Sequence, residues 1–589
     1  MTVRGVAGLA GLQALLAGWL GCGLPPEGAR DAAVDGGGAD AGDGGAGDAG
    51  AHIPGPFTEV GLGAGISFVN RFDPDRFIGS GVCWLDHDGD GDQDLLLAGD
   101  YVPSALYRND GAGHFGDVAT AAGLAVGGVV GCAAADVDND GDADVYLLRT
   151  GADRLYVNQG DGRFVDGSAT WGLDGDEREL GAAAAFGDYD GDGRLDLFVG
   201  TYVAGITPMM PFPRAYMGSP NHLLHNVGGR FEEVLTSAAH VDDPTLAAAW
   251  IDVDDDGDVD LWVVNDFGLF YAPDRLYRNE GGVLTEVAAE VGLDSKVFGM
   301  GAAPGDFDGD GDVDLYETNL MSNLLHVQQG GRFTDGAAAA GVRGHGFSDP
   351  AQGVPVYRVY DPGASLFDAA MAGFMAAYTD PASGEWGATG WGAVWLDFDQ
   401  DGVLDLFVAN GRVHSEELVP EGERQPDMLW RGVGGGRLVM EAPGSDAWDR
   451  GEARGAAAAD YDGDGDLDLA VGIGSMPTPG RTLLLRNDGA RGGWLEVRLR
   501  GVVSNRDGIG ARVRVTPVDG AGTAVGAPQT RWRFGGGSFA STGAPGLHFG
   551  LGAATRGDVE VRWPSGARDV MRGVAAGRGV VVMEGSAPP

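Results

Sequence analysis

Seven stretches of nine residues in this chain follow one pattern, D-x-D-x-D-G-x-x-D. The aspartates at positions 1, 3, 5 and 9 are Asp86, Asp88, Asp90 and Asp94; Asp136, Asp138, Asp140 and Asp144; Asp188, Asp190, Asp192 and Asp196; Asp252, Asp254, Asp256 and Asp260; Asp306, Asp308, Asp310 and Asp314; Asp397, Asp399, Asp401 and Asp405; and Asp460, Asp462, Asp464 and Asp468. Carboxylates so crowded repel one another, and a merely solvated turn needs no fixed fourth aspartate. Alternating oxygen donors on a tight loop suit a hard divalent cation such as calcium, which takes about six to eight oxygen ligands. Glycine at position 6 (Gly91, Gly141, Gly193, Gly257, Gly311, Gly402, Gly465) permits the sharp turn. Position 7 varies from Asp92 to Arg194 and Val403, so a main-chain carbonyl serves there. The pattern predicts one calcium per loop, with the four aspartates as ligands.

An EF-hand starts alike but needs an acidic ligand at position 12 and flanking helices. Here position 12 is Leu97, Leu147, Val199, Val263, Glu317, Val408 and Val471, and each loop runs into a strand such as "DLFVGT" or "DLWVVN". A small-residue strand precedes each loop ("GAAAAFG", "RGAAAA"), a third follows ("SALYRN", "DRLYVN"), and a Gly turn leads to a fourth ("HFGDV", "RFVDG"). The loops begin 50 to 91 residues apart, a period suited to one four-stranded propeller blade. Seven loops have only six fourth strands downstream. The missing one is "FTEV", Phe57–Val60, ahead of the first loop. A closed ring in which that segment completes the last blade removes both sheet edges. The expectation is an all-β chain: a seven-bladed β-propeller over residues 55–490, then a small β-sandwich or barrel over 491–585.

The start of the chain reads as a processing segment. Residues 1–22 hold one basic residue before an apolar stretch that ends in Gly21-Cys22, a lipobox-like end with Cys22 as the lipidated residue. Plain secretion and a retained anchor are the alternatives. Residues 23–54 form a Gly/Ala/Asp tether, of which residues 31–50 have no periodicity and no large side chain to bury. The predicted location is extracytoplasmic, as an outer-membrane lipoprotein or a secreted protein. Cys83 and Cys132 are either a disulfide, which such a compartment permits, or two small buried thiols. They stand three and four residues ahead of their loops, on opposite faces of the pleat, which argues against a bridge. The formal net charge is −48 and Lys296 is the single lysine. Such a surface repels nucleic acid and anionic lipid, so no nucleic-acid partner is expected, and membrane contact only through the N-terminal anchor.

The loop-plus-strand unit resembles the FG-GAP/VCBS repeats of integrin-α-like propellers. From about Phe57 to Glu584 the chain is similar to the ASPIC/UnbV (cartilage-acidic-protein-like) family, through "YMGSPNHLLHN", "VVNDFGLFYAPDRLYRN" and "VANGRVHS", and through "NRDGIGARVRV", "GGGSFAS", "LHFGLG" and "VEVRWPSG". The family often has a glutamine after the GGGS-x segment, where this chain reads "FASTGAP". The resemblance implies calcium-binding propellers outside the cytoplasm. By its own residues the C-terminal part is all-β ("WLEVRLRG", "GARVRVTPV", "TRWRF", "DVEVRW", "GVVVME"), and its arginines, Arg498, Arg500, Arg512, Arg514, Arg531, Arg533 and Arg562 among them, suggest docking on the acidic propeller.

No nucleophile–base or phosphate-binding motif is present, and the aspartates are accounted for by metal. His225, His326 and His414 read as structural or exposed. The expected function is a calcium-stabilised, monomeric binding scaffold that recognises a protein or glycan at the cell surface. The alternative is a secreted enzyme, a hydrolase, lyase or biosynthetic accessory, using the propeller channel. In an up-and-down blade the connections opposite the calcium loops are the long ones here: residues 201–220, 265–273, 410–425 and 341–390, the last with helical apolar spacing in "ASLFDAAMAGFMAAYTD". That face is the expected partner surface.

Overall fold

The computed structural model describes residues 56–70, 78–173, 175, 179–204, 219–234, 241–268, 271–320, 322–344, 388–412, 425–441, 452–474, 480–489 and 492–587. Cys22, the leader, the tether, His414 and the helical reading within 341–390 lie outside them, as do the middles of the long loops at 201–220, 265–273 and 410–425.

Seven antiparallel sheets form the blades. Their first strands are Val82–Leu85, Val129–Ala135, Glu179–Gly187, Thr245–Ile251, Gly299–Gly305, Gly390–Leu396 and Glu452–Ala459. Each touches the first strand of the next blade, and the seventh touches the first, so the ring closes. Crowding there explains the small residues: a Cβ on Gly392 would collide with the Arg454 carbonyl, and one on Gly301 with that of Trp391. The fourth strand of blade 7 is Phe57–Glu59, paired with Leu485–Asn487 (Phe57↔Asn487). The strand count read from the sequence thus has its structural counterpart, and the ring is clasped by its own N-terminal segment.

Blades stack face to back, with an apolar cluster at each interface. Val82 and Trp84 of blade 1 pack against Ala457 and Ala459 of blade 7, whereas Cys83 and Leu85 pack against Cys132 and Ala134 of blade 2. Blades 1, 4 and 5 each add a single helical turn after the fourth strand, Ala119–Ala122, Ala288–Val291 and Ala337–Ala340, unforeseen in the sequence. Each ends at a glycine in the left-handed region, Gly123, Gly292 or Gly341.

The C-terminal module is a sandwich. Gly493–Arg500 lies between Leu547–Gly552 and, in parallel, Arg578–Met583. The facing sheet runs Gln529–Trp532, Arg512–Val518, Arg556–Arg562, Arg568–Ala575. Alternate residues, among them Leu495, Val497, Val513, Val515, Val559 and Val561, fill the space between them.

Candidate metal centres

Each loop joins the first and second strands of its blade, and its aspartates do different jobs. In loop 1 Asp86 accepts the N–H groups of Gly89 (2.8 Å) and Gly91 (3.0 Å), while Asp90 accepts that of Asp92 at 3.1 Å. These bonds wrap the backbone around the side chains at positions 1 and 5. Positions 4 and 6 take left-handed backbone: Gly89 and Gly91 have φ of 74° and 97°.

Asp94 at position 9 is a clamp. It accepts the N–H of His87 at 2.9 Å and that of Asn109, on the third strand, at 2.7 Å. The same pair of main-chain bonds recurs at Asp144, Asp196, Asp260, Asp314, Asp405 and Asp468. The fourth aspartate therefore fastens the loop to the sheet and, through remaining lone pairs, can still face a cation.

The residues fit a hard cation. Single carboxylate oxygens of Asp86, Asp88 and Asp90 lie within 4.8 Å of one another, as do those of Asp136, Asp138 and Asp144 and those of Asp188, Asp190 and Asp192. Six oxygens at positions 1 and 3, Oδ1 of Asp88, Asp252, Asp306, Asp399, Asp460 and Asp462, are buried with no hydrogen-bond partner. Buried acceptors without donors are suited to a cation. Burial pushes the position-9 carboxyls up to about 8 at Asp144, Asp196, Asp260 and Asp314 and to about 9 at Asp405. At position 1 burial raises Asp136, Asp252, Asp397 and Asp460 to about 7. A divalent cation opposes that burial effect by favouring the ionised form. Position 12 takes no part: Glu317 points into the blade, its Oε2 2.9 Å from His326 Nε2.

The loops also differ in ways the pattern hides. In loops 1, 3 and 4 the residue before the third-strand Asn lies against the carboxylates. In loop 1 it is Arg108, whose Nε lies 2.5 Å from Asp88 Oδ2 and Nη2 2.9 Å from Asp90 Oδ2. In loop 3 it is His225, 3.0 Å from Asp196 and 3.5 Å from Asp190, and in loop 4 Arg278, 3.4 Å from Asp254. In blades 2 and 5 the residue at that position is Val157 and Val327.

The C-terminal module sits on this face and reaches all seven loops. Arg498 donates to the Gly91 carbonyl (3.4 Å), the Arg506 main-chain N–H to Asn139 (3.0 Å), and Arg512 to the Gly311 carbonyl (2.9 Å). Arg512 and Arg562 both hold Asp255 of loop 4, at 2.9 and 2.6 Å. The Gly550 N–H donates to Asp397 at 3.1 Å, His548 Nε2 lies 2.9 Å from the Gly465 carbonyl, and the Val503 carbonyl abuts Gly193.

From the module the segment Gly535–Ala544 descends into the ring. Gly535 and Gly536 pair with Trp250 and Ala249 of blade 4, Ser538 bridges to Ala302 of blade 5, and the Phe539 ring lies 4.9 Å from that of Trp391 in blade 6. The Ala540 carbonyl accepts from Cys132 N–H in blade 2 (3.2 Å), Thr542 exchanges bonds with Val82 and Trp84 of blade 1 (3.0 Å each), and Ala544 donates to Ala458 of blade 7 (3.1 Å). A Cβ on Gly535 would collide with the Phe186 carbonyl of blade 3. This is the "GGGSFASTGAP" stretch. Beside it a cavity of about 240 Å³, lined by Asp306, Asp397, Asp460, Arg531 and His548, remains between module and inner strands. Cys83 and Cys132, on neighbouring inner strands, are joined by a disulfide with Cα atoms 6.2 Å apart.

Comparison with known proteins places the two parts. The FG-GAP-like repeat model matches residues 86–147, 136–199 and 252–317, and the ASPIC and UnbV model matches residues 501–589. Cartilage acidic protein 1 of Homo sapiens is 26% identical over 282 residues, 43% of this chain and 40% of that protein; the Xenopus tropicalis protein is 26% identical over 287 residues, 43% and 41%. The chain thus spans about two fifths of the length of the curated relatives it matches. Among solved structures, an Agrocybe aegerita lectin that recognises non-reducing terminal N-acetylglucosamine aligns at 15% identity and TM-score 0.35 over 63% of this chain and 84% of its own. A Bacillus licheniformis rhamnogalacturonan lyase aligns at 11% and 0.34 over 74% and 76%. The chain carries FG-GAP-like repeats and an ASPIC and UnbV domain and is homologous to cartilage acidic protein 1.

Proposed function

We propose that this protein is a calcium-stabilised binding scaffold outside the cytoplasm, which recognises a protein or glycan through the propeller face opposite the calcium loops. The observation that carries this reading is the occupancy of the other surfaces. The loop face is covered by the chain's own C-terminal module, and Gly535–Ala544 fills the channel in which a propeller enzyme would place its chemistry. That leaves the far face, where the long connections emerge. Donor sets made chiefly of carboxylate oxygens favour a hard ion, so calcium is the cation assigned, one per loop. The Cys83–Cys132 disulfide supports an oxidising compartment, with Cys22 as a lipid anchor or the chain secreted. Among the described residues no helix is long and apolar enough to cross a membrane.

The test replaces residues 201–220 and 341–390 with short Gly-Ser loops and compares partner capture from the producing cell's envelope fraction. A folded variant that has lost capture supports the far face. One that captures at full affinity removes it.

A further inference from the structure

Position 4 of every loop has left-handed backbone. It is glycine in loops 1, 3, 5 and 7 (Gly89, Gly191, Gly309, Gly463, φ 73° to 78°) but Asn139, Asp255 and Gln400 in loops 2, 4 and 6, with φ of 60°, 60° and 58°. Side chains are disfavoured in that conformation, least for Asn and Asp and more for Gln, so three departures from glycine call for a reason. Each of the three meets the C-terminal module. Asn139 Oδ1 accepts the Arg506 N–H (3.0 Å), and its Nδ2 donates to the Gly193 carbonyl of the next loop (3.1 Å). Asp255 is held by Arg512 and Arg562. The Gln400 carbonyl accepts the Gly552 N–H (2.9 Å), and its side chain reaches Gly465 and Asp466 of loop 7 (2.8 and 2.7 Å). The module reaches all seven loops, and in loops 2, 4 and 6 it does so through the residue at position 4.

Position 4 lies between the carboxylates of positions 3 and 5. Asp138 and Asp140, Asp254 and Asp256, and Asp399 and Asp401 would hold a hard cation, and holding each pair together would restrain the left-handed residue between them, through which loops 2, 4 and 6 touch the module. Without the ion the carboxylates repel, and three supports around the ring loosen together. We infer that the C-terminal module is seated by the ions: Asn139, Asp255 and Gln400 couple calcium occupancy of loops 2, 4 and 6 to docking of the module and to insertion of Gly535–Ala544 in the channel. This rests on the calcium reading. By linkage the coupling is reciprocal, so a seated module raises calcium affinity at those loops by the factor that calcium favours seating.

The experiment uses the full-length chain, a calcium titration by calorimetry and amide hydrogen exchange of residues 535–544. The variant Asn139→Gly/Asp255→Gly/Gln400→Gly restores the glycine that four loops already carry, and Asp255→Gly alone is the milder version. Expected are an unchanged ion count, several-fold weaker binding confined to three sites in the triple variant, and at least tenfold faster exchange of 535–544 at saturating calcium. Unchanged affinity and unchanged exchange in the variants, with calcium bound, overturn the coupling alone. Absence of calcium binding in the wild type overturns the calcium reading and this inference with it, and is seen separately in the ion count.

Discussion

Asn158, at the end of the third strand of blade 2, donates its side-chain N–H to the carbonyl of His87 in the loop of blade 1, 2.9 Å away. The same clasp joins Asn226 to Val137, Asn279 to Tyr189, Asn487 to Phe398 and, closing the ring, Asn109 to Tyr461. Each Asn also bonds its own loop, so loop and inter-blade contact are one unit. Asn158→Ala leaves the buried His87 carbonyl without a donor and lowers stability by about 1–3 kcal/mol, read as a shift in denaturant midpoint. A shift no larger than that of the exposed Gln159→Ala would show that the clasp contributes little.

Arg108 lies on two candidate ligand carboxylates of loop 1, Asp88 and Asp90, where blades 2 and 5 carry valine. A cation there competes with the ion, so Arg108→Val should strengthen calcium binding at loop 1 several-fold, and Val157→Arg should weaken loop 2. Calorimetric titration of the two variants reads both. Arg108 is half exposed, so the effect shrinks with added salt.

Glu317 and Asp274 face each other across blades 4 and 5, both buried, with His326 on Glu317. Burial raises Glu317 to about 8 and holds Asp274 well above its ordinary value, while burial lowers His326. A carboxyl raised in the folded state keeps its proton there and loses it when unfolded. Its stabilising effect is full below about pH 4.5 and declines as pH rises toward 8. Glu317→Gln removes that decline, so the gain of the variant over wild type grows from pH 5 to pH 8. A pH-independent difference in melting temperature would contradict the assignment.

The Cys83–Cys132 bridge corrects the pleat argument that opposed it. Blades stack face to back, so the side chain that faces forward from blade 1 and the one that faces backward from blade 2 must have opposite parity. Offsets of three and four residues are what an inter-blade contact needs. Denatured, unreduced protein should show no free thiol at either position. Cys83→Ser/Cys132→Ser should cost about 2–5 kcal/mol.

The blades were legible because loop chemistry fixes residue types at fixed spacing, and because strand pairing is countable: six fourth strands for seven loops left "FTEV" one place to go. The position-9 clamp and the Asn clasp were visible as recurring letters, but the clamp's bonds run to main-chain N–H groups of its own blade and the clasp's to a carbonyl of the neighbouring blade, and neither partner is encoded in a local pattern. The channel segment was hidden for a related reason. Gly, Ser, Ala and Thr in "GGGSFAST" read as a loop, whereas in the ring they are the residues small enough to approach seven inner strands. Arginines of the module signalled docking by charge alone. Charge did not say that Arg498 and Arg512 would meet the Gly91 and Gly311 carbonyls, and the departures from glycine at Asn139, Asp255 and Gln400 became informative only once φ was known.

The most direct measurement is metal content and melting temperature of the full-length protein, before and after exhaustive chelation and after return of calcium. The account predicts seven calcium ions per chain, a sharp fall in melting temperature on chelation, and recovery with calcium. One ion or none, together with a melting curve indifferent to chelator, would contradict it.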